Sequence, residues 1–184
     1  MPAAPGGRTP APRGRTMTAY WTTHPGPLGD LLLTCDAIGA LTSLTVPGAP
    51  GAKGLPAPGT VRDDAPFAEA RRELDAYFAG ERDRFTLRLA PPPASDFRRR
   101  VWAALDEIPY GTTVSYGQLA AAIGVGGPAV RAVGGAIGAN PLLIVRPCHR
   151  VVGADGSLTG YAGGLERKTW LLGLEHTRTA VPAG

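Results

Sequence analysis

Cysteine is scarce in this chain of 184 residues: there are two, Cys35 and Cys148. A single possible pair in a chain of this size is not a disulfide framework, and the count points to a reducing compartment. Long apolar runs are missing too. None approaches the about 20 residues that a bilayer-crossing helix needs, so no membrane role is expected. The first 16 residues hold three Arg and no acid. They lack the apolar segment of a secretory signal, and the expected location is the cytoplasm. No internal repeat is present.

Glycine and proline are abundant, at 26 and 19 residues. Much of both lies at the N-terminus and in two loops. The net charge is +4, and its distribution says more than its size. Residues 17–95 carry seven basic and nine acidic side chains, whereas residues 96–184 carry nine basic and six acidic. The second half is therefore the better place for a polyanion, although an excess this small is also an ordinary solvated surface.

Residues 1–16 read as a disordered tail with nothing to bury. From Tyr20 to Val46 the pattern predicts β structure, with Leu31–Cys35 and Ala40–Val46 as strands and Asp36–Gly39 as their turn. Pro47–Pro58 is loop. Asp63 and Asp64 then open a helix whose apolar stripe is Phe67, Ala70, Leu74, Tyr77 and Phe78, and Gly80 ends it. Phe85–Leu89 alternates and predicts a strand. The prolines Pro91–Pro93 within 91–95 make a stiff linker, dividing an N-terminal α/β domain over 17–90 from a C-terminal domain over 96–175. Ser95 caps a helix with the stripe Phe97, Val101, Leu105 and Ile108. Ser115 caps a second, short one, and a third spans Ala129 to Ala139 after a Gly-rich turn. This is a helix-turn-helix pattern, which many small helical domains contain without binding DNA. A short buried run over Leu142–Val145 leads into the Cys148 segment. Gly153–Gly164 is a Gly-rich loop, a last helix covers Leu165–Leu174, and 176–184 reads as a frayed tail. The expected class is α+β: a small sheet-and-helix domain, then a helical, winged-helix-like one.

Cys148 is followed directly by His149. A thiol attacks only as thiolate, and an imidazole can take its proton. Successive side chains diverge, so a bridging water is the natural link, and a carboxylate would hold the tautomer. A bare Cys-His pair is more often a structural thiol beside an incidental imidazole.

The run Arg146-Pro147-Cys148-His149-Arg150-Val151 does not stand alone. Gly160-Tyr161-Ala162-Gly163-Gly164-Leu165 and Lys168-Thr169-Trp170 follow it. Upstream lie Tyr110–Ala120, Arg131-Ala132-Val133-Gly134-Gly135-Ala136 and Asn140-Pro141. In this order these motifs resemble the alkylguanine-DNA alkyltransferases, over about residues 96–175. The resemblance implies an α+β repair protein. It would move an alkyl group from O6-alkylguanine, and from O4-alkylthymine, irreversibly onto Cys148, once per molecule, after flipping the nucleotide out of double-stranded DNA. In that reading His149 is the base through a water and Glu175 orients it. Asn140 hydrogen-bonds backbone near the site, and Tyr116 donates toward guanine N3. Arg131 fills the vacated stack from a recognition helix that includes Ala129, with Gly134 and Gly135 allowing close approach. Tyr161, Ala162, Gly163 and Val151 wall the pocket, and backbone at Cys148, Val151 and Ala162 reads the base edge. Arg146 departs from the resemblance, standing where an aliphatic residue is common. Some members carry structural zinc, but Cys35 with His24 offers too few ligands here, so neither metal nor cofactor is expected. The expected form is a monomer, with cooperative binding along DNA left open. Two competing readings are a non-catalytic binder of alkylated DNA and an unrelated Cys-His hydrolase. Cys148 argues against the first, and the helix-turn-helix with Arg131 and Asn140 against the second.

Overall fold

The structure, a computed structural model, describes residues 19–52 and 56–179. The tail expected over 1–16 lies outside them. In the N-terminal half, β1 (Tyr20–His24), β2 (Leu31–Cys35) and β3 (Leu41–Thr45) form an antiparallel meander. A two-residue strand β4 (Val61–Arg62) adds in parallel to β1, giving the order β3-β2-β1-β4. Asp36 builds the expected hairpin turn by accepting from the amides of Ile38 and Ala40. Helix α1 (Ala68–Phe78) follows a 3-10 turn over Ala65–Phe67 and buries Ala70, Leu74 and Tyr77. Its apolar stripe behaves as the spacing predicts, but Glu73 is buried on the same side.

In the C-terminal half, α2 (Asp96–Asp106) is capped by Ser95 and buries Val101, Trp102 and Leu105. Strand β5 (Val114–Ser115) leads straight into α3 (Tyr116–Ala122), where Ser115 and Gln118 complete a capping box. Helix α4 (Ala129–Gly138) packs back on α2, whose Trp102 indole donates to Ala136 O at 2.8 Å. A 3-10 turn over Cys148–Arg150 precedes β6 (Val151–Val152), and α5 (Leu165–Thr179) closes the described chain. Strands β5 and β6 pair in parallel, Val114 with Val151 and Ser115 with Val152. That two-rung ladder sets the start of α3 beside the Cys148 turn. The two halves share one hydrophobic core running from Leu31 through Tyr77 and Leu105 to Leu171. They are also stitched by backbone, since Leu44 N donates to Pro141 O and Leu143 N to Leu44 O.

Two expectations need correction. Phe85–Leu89 is not a strand: it makes one bridge, Leu89 to Leu41. The Thr86 amide and hydroxyl are drawn instead to the buried Glu73 carboxylate, which leaves no free ladder. The run over Leu142–Ile144 is buried, as its apolar character predicts. It turns tightly, with Ile144 at φ 71. A β-branched residue there costs on the order of 1–3 kcal/mol. The turn is held by Asn140, whose side chain bonds Leu142 N, Leu142 O and Arg146 O. Secondly, the tail expected from residue 176 is helical through Thr179. Arg178 stacks over the Tyr110 ring at 5.6 Å and keeps that last turn in place. Residues 180–184 lie outside the described chain.

Candidate active site

Cys148 is 3% exposed, in the first position of its 3-10 turn. Its Sγ accepts a hydrogen bond from Asn140 Nδ2 at 3.1 Å. Burial pushes the thiol pKa up to about 11, against the Asn140 bond and the positive charges of Lys168 and Arg146. A thiol in that state does not ionise by itself at neutral pH, so nucleophilic chemistry here requires a base.

His149, fully buried, lies beside it. Its Nε2 is 2.9 Å from Glu175 Oε1. Burial alone would raise the Glu175 carboxyl, but hydrogen bonds from His149 and Arg150 outweigh it and hold the group well below the usual carboxylate range. A carboxylate kept anionic can only accept, so His149 Nε2 carries the hydrogen and Nδ1 keeps the lone pair. Burial lowers the imidazole pKa, opposed by the Glu175 bond and charge, which keeps that lone pair free. Nδ1 is buried without a partner among the described residues. The pair thus forms an oriented base with its acceptor unspent.

Glu175 collects more donors than the sequence reading foresaw. Arg150 grips it bidentately, Nε to Oε2 at 2.9 Å and NH2 to Oε1 at 2.8 Å. The Gly111 amide reaches Oε2 at 3.1 Å. Gly111 sits at φ 73, and a Cβ there would strike Thr179, so the close approach requires glycine. The Tyr77 hydroxyl donates to Oε1 at 2.6 Å.

The loop over 153–164 forms the roof. Lys168, also unforeseen and fully buried, donates from Nζ to Val151 O at 2.6 Å, Thr159 O at 3.0 Å and Gly160 O at 3.4 Å. Burial lowers its pKa, while the nearby Cys148 opposes that. The Gly51 amide donates to Ala162 O at 2.9 Å, at an approach where a Cβ would collide with Ala162 backbone. Tyr161 stands edge-on to His149 with ring centres 6.4 Å apart, and Gly163 lies under the Tyr161 ring. The carbonyls of Val151 and Ala162 therefore already accept one bond each, leaving each a second lone pair.

Of the residues singled out from sequence, Cys148, His149, Glu175, Asn140, Tyr161, Ala162 and Val151 converge here. Tyr116 faces the roof from α3 and donates its hydroxyl to Thr159 O at 3.0 Å. Arg131 and Gly135 are exposed on α4, with Ala129 half-buried at its start and Gly134 against the Tyr116 ring. Arg146 instead turns inward, bidentate to Asp106 at 2.9 and 3.2 Å and 5.4 Å above the Trp102 ring. It fills the place of an aliphatic residue as a paired, stacked cation. In the Arg98–Arg100 cluster, Arg99 is taken up by Ala94 O and Asp96, and Arg100 by Ile123 O.

Two family models match the chain. The one described as 6-O-methylguanine DNA methyltransferase, DNA binding domain covers residues 96–177, and the one described as 6-O-methylguanine DNA methyltransferase, ribonuclease-like domain covers 19–91. The methylated-DNA–protein-cysteine methyltransferase of Methanosarcina acetivorans is 46% identical over 157 residues, 85% of this chain and 97% of that one. Its Haemophilus influenzae namesake is 42% identical over 163 residues, spanning 86% and 88%. Among solved structures, Mycobacterium tuberculosis OGT in complex with DNA superposes with TM-score 0.79 at 44% identity, covering 86% of this chain and 94% of that one. The O6-methylguanine-DNA methyltransferase of Pyrococcus kodakaraensis gives TM-score 0.62 at 26% identity, covering 86% and 99%.

Proposed function

The chain belongs to the 6-O-methylguanine-DNA methyltransferase family, and on that premise we propose how its own residues move an alkyl group from DNA to sulfur. The protein is a DNA repair protein that transfers the alkyl group onto its own cysteine. One observation carries the assignment to Cys148: it is the thiol that meets Asn140, with an oriented His-Glu base in the next residue.

The Cys148 proton passes through a bridging water to His149 Nδ1, the buried acceptor left without a partner among the described residues. Glu175 stabilises the imidazolium that forms, as the carboxylate does in other triads. The thiolate attacks the alkyl carbon, a C–S bond forms, and the C–O6 bond breaks with its electron pair going to guanine. Tyr116 swaps its bond to Thr159 O for one to the leaving base and supplies a proton near N3. Solvent then carries the proton from the His149 imidazolium back to the Tyr116 phenolate, so the net change is one alkyl group from O6 to sulfur and one proton from sulfur to the base. The target base must leave the stack, at a cost of a few kcal/mol, and exposed Arg131 on α4 can fill the gap. The pocket is roofed by Tyr161 and Ala162, and the same chemistry extends to O4-alkylthymine. The division of labour places DNA contacts and chemistry in residues 96–175 and support in 17–90. The proposed acting form is a monomer. No helix among the described residues is long and apolar enough to cross a membrane, and the cytoplasm is the proposed location.

The product is a thioether, which cellular thiols do not cleave, so Cys148 is spent. With excess alkylguanine duplex, repair should therefore stop at about one lesion per protein chain. Continued turnover in repeated additions of fresh DNA would contradict the spent-thiol reading.

A further inference from the structure

Tyr77 lies in α1 of the N-terminal half, 98 residues from the carboxylate that it touches. Its ring is fully buried against Phe85 at 5.2 Å and Tyr110 at 6.0 Å between ring centres. Packing of that kind asks only for a phenyl ring. The hydroxyl is an added burden, because a buried O–H must find a partner. Its partner is Glu175 Oε1, the same oxygen that receives His149 Nε2.

We propose that Tyr77 is a positioning residue for alkyl transfer: its hydroxyl fixes Glu175 Oε1 against His149 and draws off part of the carboxylate charge, so that the N-terminal half sets the basicity of His149. This rests on the reading of His149 as the base. Burial, and the Glu175 charge after it, hold the phenol above its ordinary value, so Tyr77 keeps its proton and only donates.

The groups around the His149–Glu175 pair come from several elements. The turn that holds His149 contributes the Cys148 thiol and the Arg150 cation, and α5 contributes the Glu175 anion and the Lys168 cation. The loop before α5 brings Tyr161, and the segment after α2 brings Tyr110, with Arg178 over its ring. The two cations oppose an imidazolium, and Glu175 favours it. Glu175 in turn is held by Arg150, the Gly111 amide, His149 and Tyr77. Removing the Tyr77 hydroxyl concentrates negative charge on Oε1. The imidazolium is then favoured, and more of His149 is protonated, and idle, at a given pH.

The test is the pH dependence of the single-turnover transfer rate in Tyr77→Phe, read beside an NMR titration of the His149 imidazole. The acid limb should move up by about half a pH unit, with the rate on the alkaline plateau within about twofold of the parent. The imidazole signal, read on folded molecules alone, should move with it. Phe85→Leu, which disturbs the packing of Tyr77 but keeps its hydroxyl, should leave the limb in place. An unmoved or lowered limb in Tyr77→Phe, or an equal shift in Phe85→Leu, makes Tyr77 merely structural and overturns the proposal. Glu175→Gln separates the two readings: no change in rate at any pH would remove the His149–Glu175 base itself. A slowed Glu175→Gln beside an unmoved Tyr77→Phe removes only the part given to Tyr77.

Discussion

Replacing Cys148 by alanine is expected to abolish alkyl transfer and to leave affinity for alkylguanine duplex within about twofold. The sulfur is the acceptor, so no other group can stand in for it, and the loss is complete rather than graded. The proposed DNA contacts lie elsewhere, on α4 with exposed Arg131 and on Tyr116. The fold should survive. Asn140 Nδ2 loses Sγ but keeps Leu142 O and Arg146 O, so the cost is about 1 kcal/mol. Serine is the sharper variant, since it keeps a hydrogen-bond acceptor in nearly the same place. Its hydroxyl is far harder to ionise than a thiol, and transfer should stay undetectable. The measurement pairs a gel-shift titration with an assay of the alkyl content of the DNA. Transfer by either variant would move the reaction to another residue.

The second large effect concerns stability. Glu175→Gln should destabilise the protein by about 3–5 kcal/mol, because it strips the counter-charge from a buried guanidinium. For a chain of this size that is a fall in Tm of roughly 6–20 °C. Arg150 has alternatives only in part: its NH1 donates to Ile108 O and its plane stacks on Tyr110, but its Nε and NH2 both end on Glu175. The pH dependence follows from the same contacts. The folded-state Glu175 pKa is depressed below the about 4.3 of an unfolded Glu, so its stabilisation is present above that value and lost as pH falls through the folded pKa. Burial depresses His149 as well. Protonation of the unfolded chain below about 6.5 therefore weakens the parent further. The parent should lose stability steadily on acidification, and the gap to Glu175→Gln should narrow below about pH 4. Thermal melts of both proteins from neutral to acid pH measure that gap. A constant gap would mean that the Glu175 charge does not hold the fold.

Much of this was legible in the chain. The stripes Phe97, Val101, Leu105, Ile108 and Phe67, Ala70, Leu74, Tyr77 mark helices because burial repeats with the helical period. Ser95 and Ser115 mark their starts because a hydroxyl there satisfies a free amide. Cys148, His149, Asn140 and Glu175 were marked by motif order. What was hidden are contacts that neither spacing nor local propensity encodes. Tyr77 reads as one more apolar member of a stripe, and only the tertiary fold turns its hydroxyl to Glu175. Arg150 and Lys168 stand in the motifs with no role of their own, yet both are buried because carbonyls and a carboxylate converge on them. Gly51 reads as loop, although its amide ties the N-terminal half to Ala162 O. Phe85–Leu89 alternates like a strand, but a buried carboxylate at Glu73 competes for its backbone.

The direct test of Cys148 as the alkyl acceptor is the peptide mass spectrum after one round of repair on methylguanine duplex. The peptide holding Cys148 should gain a single methyl group in step with the methyl lost from DNA, while Cys35 stays free. Repaired DNA beside an unmodified Cys148 peptide, or a methyl group on Cys35, would contradict it.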